Sequence, residues 1–397
     1  MGLNSTPSAE RLHIGIFGKR NAGKSSLINA ITGQSLAIVS DIKGTTTDPV
    51  SKAMELLPLG PVVMIDTPGL DDVGVLGQMR ISKTYQVLNK TDIALLVIDG
   101  SIGMSKEDEA LLEVVKEKKI PYLIVVNKID EMREEMEESK ERIYVSATSK
   151  LNIEELKERI GNLIPKEEKK RPLVADLLKP LDFVILVVPI DASAPKGRLI
   201  LPQQQTIRDI IEAGAVSIVV KDTELKETLE KLGQKPRLVI TDSQAFSEVA
   251  KQTPDDVPLT SFSILFARYK GDLWEVVKGA RAIENLKDGD TILMAEGCTH
   301  HRQCEDIGTV KIPNWIRNYT KGKDIRIETC SGTEFPSDLS KYQLIVHCGG
   351  CTLNEREMKY RIRCAVDQGI PITNYGIFIA YMKGILERSI EPLNSFT

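Results

Sequence analysis

Cysteine is scarce and one-sided in this chain of 397 residues: the six present are Cys298, Cys304, Cys330, Cys348, Cys351 and Cys364, and the first 297 residues carry none. The N-terminus, Met1-Gly2-Leu3-Asn4-Ser5-Thr6-Pro7, lacks both the basic start and the apolar stretch of a secretory signal. Together these absences argue against a disulfide framework and place the chain in a reducing cytoplasm, where clustered thiols serve as metal ligands or catalytic groups. No apolar run approaches the roughly 20 residues that span a bilayer, so no membrane insertion is expected. A positive balance is missing too. The formal net charge is −4 with pI ≈ 5.8, which argues against nucleic acid or an acidic membrane as a dominant partner, because neutralising phosphate needs a basic surface.

What remains, 42 % hydrophobic and 27 % charged residues, describes a globular protein, and at about 150 residues per domain the length predicts three domains. The reading is α/β throughout, with boundaries at 1–165, 166–268 and 269–397.

In the first domain, the strand-like Leu12-His13-Ile14-Gly15-Ile16-Phe17 runs into Gly18-Lys19-Arg20-Asn21-Ala22-Gly23-Lys24-Ser25 and a helical stretch from Ser26. This is a P-loop with its required flanks. Gly18 and Gly23 permit close backbone approach. Amides from Gly18 to Ser26, Asn21 and Ala22 included, hold phosphate; Lys24 reaches the β- and γ-phosphates, and Ser25 offers a hydroxyl to Mg²⁺. Asp66-Thr67-Pro68-Gly69 follows a second apolar run, and Asn127-Lys128-Ile129-Asp130 a third. The two motifs together select GTP. A carboxylate such as Asp130 accepts two hydrogen bonds from the guanine edge, a donor pair that adenine lacks. Ser146-Ala147-Thr148 completes the base pocket, and Gly44-Thr45-Thr46-Thr47-Asp48 supplies a threonine, Thr46 or its neighbour Thr45, to Mg²⁺ and the γ-phosphate. Lys24, Thr46, Asp66 and Gly69 form the catalytic set. Leu70 stands where Ras-type enzymes carry the water-orienting glutamine, so unaided hydrolysis is expected to be slow and to suit a conformational timer.

In order and spacing, these elements resemble the translation-factor-related GTPases of the MnmE and Era type. The resemblance implies a K⁺ ion held by Asn21, which would compensate transition-state charge as an arginine finger does, an effect of order 10³ to 10⁵ in rate.

The charged, proline-ended stretch Lys166-Glu167-Glu168-Lys169-Lys170-Arg171-Pro172 reads as a linker. Beyond it, Phe183–Val188, Ala215–Val220 and Arg237–Thr241 are three strand-like runs alternating with helical stretches, which predicts a small parallel-sheet layer. It shows no nucleotide loop, metal spacing or nucleophile motif, and a domain without chemistry suits assembly.

The last domain carries the sulfur. Cys298-Thr299-His300 and His347-Cys348-Gly349-Gly350-Cys351 each close an apolar, β-favouring run, Thr291–Ala295 and Tyr342–Val346. Both halves can therefore project from strand ends into one pocket. Soft thiolates suit zinc and iron–sulfur clusters alike. Zinc would take Cys298, Cys348 and Cys351 with His300 or His347. A [4Fe–4S] cluster would take the three cysteines and leave one iron for a weaker or exchangeable ligand, among which His300, His347, Glu305 and Cys304 are candidates. Asn354 and Glu357 form a capping-box-like helix start whose positive end faces the centre, and Gly349 and Gly350 let backbone N–H groups approach sulfur. Cys364 reads as a packing residue.

Taken whole, with the nucleotide motifs, a featureless middle and the CxH and HCxxC halves, the chain resembles the HydF family of [FeFe]-hydrogenase maturation GTPases. The resemblance implies a P-loop GTPase domain followed by a dimerisation domain that makes a homodimer and a [4Fe–4S] domain that holds the precursor of the hydrogenase diiron subcluster. It also implies partners: two radical-SAM maturases and the apo [FeFe]-hydrogenase that receives the precursor. The competing reading is an RNA- or ribosome-assembly GTPase with a structural zinc module, which needs a basic, aromatic-bearing surface that this composition does not supply. A redox enzyme would need a second electron-carrier motif.

Overall fold

The structure is a computed structural model, and it describes residues 8–33, 49–57, 59–69, 83–132, 139–163, 171–190, 199–297, 307–332 and 334–394. The chain forms two compact units, Met1–Lys169 and Lys170–Thr397.

In the first unit, β1 (Leu12–Phe17), β2 (Val50–Leu56), β3 (Gly60–Asp66), β4 (Ile93–Asp99), β5 (Tyr122–Asn127) and β6 (Arg142–Tyr144) form one sheet ordered β2-β3-β1-β4-β5-β6. All pairs are parallel except the β2–β3 hairpin. The central strands are apolar on both faces because helices cover both, as a parallel sheet requires. Ile14, Ile16 and Leu27 lie in the core of one face; Phe17, Ile65 and Leu111 lie in that of the other.

The second unit holds two four-stranded parallel sheets. β7 (Phe183–Val187), β8 (Val216–Val220), β9 (Leu238–Thr241) and β10 (Leu259–Ser261) are ordered β10-β9-β7-β8. β11 (Thr291–Ala295), β12 (Arg326–Cys330), β13 (Leu344–His347) and β14 (Ile372–Asn374) are ordered β12-β11-β13-β14. Read from its second strand, the first of these sheets runs 2-1-3-4, and so does the other. Each therefore reverses direction between its first and third strands, which opens a crevice at their carboxyl ends.

Three strands were expected in the middle segment and four are present among the described residues. β10 is only three residues long and runs straight into the helix Phe262–Lys270, whose N-cap is Ser261, its Oγ accepting from the Ile264 amide at 3.3 Å. Such a strand is too short to show alternation. β12 escaped notice because it is a charged edge strand, Arg-Ile-Glu-Thr-Cys, the composition that guards an edge against pairing.

One hydrophobic core runs through the whole second unit, with Ile185, Ile240, Ile264, Ile292, Ile345 and Ile377 in a single cluster. The helix Tyr375–Met382, apolar nearly all round, is buried against β13, β14 and the helix Phe262–Lys270. A Cβ at Gly376 would lie 2.3 Å from the Ser263 Cβ, so the absence of a side chain there sets how closely this helix meets the helix Phe262–Lys270. Each fully buried aliphatic side chain in such a core contributes about 1.5–3 kcal/mol.

Candidate functional site

The loop from β1 to the helix Lys24–Thr32 is shaped by backbone conformations that favour glycine. Gly18 has φ 142° and Gly23 φ 89°. A Cβ on Gly18 would meet the Val97 carbonyl oxygen at 2.1 Å, and one on Gly23 would meet Asn127 Nδ2 at 2.1 Å. Asn21 also takes a left-handed conformation, φ 64°, and is exposed. The Lys24 ammonium is buried and folds back on its own loop, donating to the Gly18 carbonyl at 2.9 Å and the Lys19 carbonyl at 2.7 Å. Ala22 is buried, and Ser26 is half-buried in the first helical turn.

Ser25 Oγ donates to Asp66 Oδ2 at 2.6 Å, which sets the hydroxyl expected at Mg²⁺ against the carboxylate that ends β3. Asp66 Oδ1 is buried and accepts no hydrogen bond among the described residues. Burial pushes the Asp66 carboxyl above its ordinary range, only partly opposed by Ser25 and Lys24. A buried carboxylate with an unused oxygen fits a hard cation, whose charge would offset the desolvation. Thr67 Oγ1 donates to the Ile16 carbonyl at 2.7 Å and fixes the start of the following loop. Gly69 is described; Thr45, Thr46 and Leu70 lie outside the described residues.

On the base side, Asn127 is a brace. Its Nδ2 donates to the Ala22 carbonyl at 3.0 Å and its Oδ1 accepts from the Ala147 amide at 3.0 Å, tying the phosphate loop to the segment after β6. Lys128, at φ 64°, pairs with Asp99, and Asp130 is exposed on the 3₁₀ turn Ile129–Glu131. Ser146 is fully buried and accepts from the Ser149 amide at 3.1 Å. Sequence reasoning did not name Asp99, although its place at the end of an apolar run was a usable signal.

In the second unit, β11 and β13 are hydrogen-bonded neighbours with Ala295 opposite His347, and the Cys348 amide donates to the Ala295 carbonyl at 2.8 Å. The crevice of this sheet opens between them, and Cys348 and Cys351 lie there. Cys348 Sγ accepts from the Gly297 amide at 3.0 Å and from the Gly350 amide at 3.4 Å. Gly350, φ 61°, turns its Cα toward Met358, whose Sδ a Cβ would meet at 2.5 Å. Burial raises the Cys351 thiol above its ordinary range, partly opposed by the Lys270 charge. Lys270, 2 % exposed, donates to the carbonyls of Leu353 at 3.0 Å and Cys351 at 3.4 Å. A metal would draw the proton from such a thiol. Amide donors on one sulfur, half-buried thiols and a nearby cation fit an anionic thiolate-bound centre.

His347 is buried at the end of β13. Its Nδ1 lies 2.6 Å from the Cys348 carbonyl and its Nε2 lies 3.0 Å from Arg361 Nη1. Burial, reinforced by the Arg361 charge, lowers its pKa to about 3. Arg361 is fully buried on the helix Glu355–Asp367 and also donates to Glu357 Oε1 at 2.9 Å and the Gly332 carbonyl at 2.6 Å. That helix begins at Asn354, whose Oδ1 accepts from the Glu357 amide at 3.0 Å. Cys330 ends β12, where burial pushes its thiol up to about 11, and Cys364 packs against the core. Among the described residues, no three His, Cys, Asp or Glu side chains converge on one metal position. Cys298, His300, Cys304 and Glu305 lie outside the described residues. Arg361 and Lys270 were missed from sequence. The four-residue spacing of Glu357 and Arg361 was a signal for the first; nothing marked the second. No helix among the described residues is long and apolar enough to cross a membrane.

Comparison with known proteins divides the chain in three. Residues 274–392 match the family model of the hydrogen maturase F tetramerization domain, residues 173–271 that of the hydrogen maturase F dimerization domain, and residues 13–128 that of the 50S ribosome-binding GTPase. Among curated proteins, the tRNA modification GTPase MnmE of Desulforamulus reducens is 35 % identical over 164 residues, 39 % of this chain and 35 % of that protein. GTPase Der of Wolinella succinogenes is 36 % identical over 174 residues, 40 % of this chain and 36 % of that protein. The chain spans about a third of the length of these relatives. Among solved structures, Era of Aquifex aeolicus bound to GDP and AlF₄⁻ is 21 % identical, covering 60 % of this chain and 97 % of its own, with a TM-score of 0.35.

Proposed function

The chain belongs to the hydrogen maturase F family, with a GTPase domain followed by two oligomerisation domains, and from that premise we propose that it is a GTP-hydrolysing scaffold. On this reading it carries a [4Fe–4S] cluster and a diiron precursor, and it delivers the precursor to apo [FeFe]-hydrogenase. The supporting observation is the paired end of β11 and β13, where the Gly297 amide meets Cys348 Sγ at the crevice of a parallel sheet. Cys298, Cys348 and Cys351 are the proposed ligands. Three protein thiolates leave one coordination position exchangeable, which is what a carrier needs in order to release its cargo. A cluster bound there supplies an iron with that open position; the protein's part is to hold the thiolates and donate N–H groups to sulfur.

In the first unit, Gly18, Asn21, Ala22, Gly23, Lys24, Ser25 and Ser26 cradle the phosphates of GTP, with Ser25, Thr46 and Asp66 at Mg²⁺ and Asn21 at K⁺. Gly69 contributes its amide to the γ-phosphate side, and Asn127, Lys128, Asp130, Ser146 and Ala147 enclose guanine. Lys24 supports this reading. Its ammonium lies on the loop's own carbonyls, a position from which it can turn to the β- and γ-phosphates. Hydrolysis is slow and stimulated by K⁺, and it resets association with the radical-SAM maturases and the hydrogenase in the cytoplasm. The oligomer is a homodimer or a higher assembly built on it.

Anaerobic reconstitution with iron and sulfide, followed by metal analysis and electron paramagnetic resonance of the reduced protein, tests the proposal. A [4Fe–4S] signal altered by imidazole or cyanide is expected. Tightly bound zinc without iron would replace the carrier with a structural zinc module and bring forward an RNA-linked GTPase.

A further inference from the structure

His347 stands next to a proposed ligand and has a side chain that commonly binds metal, yet its geometry points elsewhere. Arginine has donors only and does not lose its proton in proteins. The 3.0 Å contact with Arg361 Nη1 therefore makes His347 Nε2 the acceptor. The ring proton is then on Nδ1, where it is donated to the Cys348 carbonyl at 2.6 Å. A neutral imidazole has one lone pair to give a metal, and here that lone pair faces Arg361.

Moving the ring to a metal would break both bonds at once. It would also strip one partner from a guanidinium that is fully buried and otherwise held by Glu357 and the Gly332 carbonyl, with its Cζ 5.1 Å from the Phe335 ring centroid. Removing a partner from a buried charge is costly. We propose that His347 is a positioning residue, a strut held by Arg361 that fixes the Cys348 carbonyl, and that it is not a ligand of the metal centre. The inference rests on reading the cysteine loop as that centre.

A strut has a purpose at this place. The loop Cys348–Cys351 contains two glycines and no regular structure, and a loose loop would have to lose its freedom when metal arrives. Pinning the Cys348 carbonyl fixes the peptide plane beyond it, while Cys348 Sγ receives the Gly297 and Gly350 amides. On the other side of the loop, Lys270 holds the carbonyls of Cys351 and Leu353. The path from Arg361 through His347 to Cys348 thus orders the loop before loading.

The test compares the full-length chain with His347→Gln and Arg361→Met, each reconstituted with iron and sulfide, using chelator-induced iron loss and pulsed electron paramagnetic resonance with ¹⁵N-labelled histidine. Both substitutions should accelerate iron loss by a similar factor, about tenfold for one lost hydrogen bond. The nitrogen coupling of the reduced cluster should be the same in His347→Gln as in the unaltered chain. A directly bound nitrogen that disappears in His347→Gln and persists in Arg361→Met would overturn the proposal, and so would normal iron retention in both variants. Should Arg361→Met not fold, Arg361→Lys keeps the charge and removes the fork, with the same expectation. Absence of iron and sulfide from the unaltered chain is read first; it overturns the cluster reading itself and this inference with it.

Discussion

The Gly297 amide and Cys348 Sγ lie 3.0 Å apart, so the ends of β11 and β13 are joined through sulfur as well as through their backbone ladder. Cys348→Ala should abolish iron binding while leaving phosphate release from GTP unchanged, because nucleotide chemistry belongs to the other unit. Iron and sulfide content measured beside GTP turnover decides the matter, and a full cluster in the variant removes the ligand assignment.

Asp130 is exposed on its turn and free to meet a base. Asp130→Asn exchanges an acceptor pair for a mixed donor and acceptor. With charge-assisted bonds contributing about 1.5–3 kcal/mol each, GTP affinity should fall by about a hundredfold or more. Calorimetric titration with GTP and with xanthosine triphosphate measures it, and an unchanged preference for GTP would put the base pocket elsewhere.

Asp66 makes a prediction with a definite sign. Burial raises its folded-state pKa above the ordinary value of 3.8, so its protonated form is favoured in the fold. Its contribution to stability is present below pH 3.8 and is lost as pH rises through the higher folded value. The melting temperature of Asp66→Asn minus that of the unaltered, nucleotide-free chain should therefore grow as pH rises from about 4, then level off. A difference that stays flat across that range would contradict the assignment, and Mg²⁺ should narrow it by binding the unaltered carboxylate alone.

Asn21 is exposed in a left-handed turn of the phosphate loop. Asn21→Ala should remove most of the stimulation of GTP hydrolysis by K⁺ over Na⁺ at equal ionic strength. Equal rates in the two salts for the unaltered chain would end the potassium proposal.

Much of this was legible in the sequence, for reasons that differ from place to place. β1 and β11 were read to the residue because each is a short apolar run that ends at a glycine or at a cysteine loop. The phosphate loop was legible because Gly18 and Gly23 are imposed by the Val97 carbonyl and by Asn127, and a steric demand leaves a fixed residue type. Arg361 was legible only as the partner of Glu357 four residues before it; its reach to His347 joins a helix to a strand end across a fold-dependent distance, and no spacing encodes that. Lys270 was harder still. It lies at the start of the last segment, well before the first cysteine, and reaches the cysteine loop only because the helix that carries it ends there.

The unbroken core of the second unit has a consequence for how such a chain can be divided or exchanged. The two matched family segments meet between residues 271 and 274, yet Ile264 before the join and Ile292 and Ile377 after it share one interior. A cut at that join leaves two open faces, neither able to cover itself, so the pair should melt in one step and be inherited as one piece. With one interior shared across the join, the cysteine loop and the segment before residue 271 have no joint between them, and a change in the packing of either is felt by both.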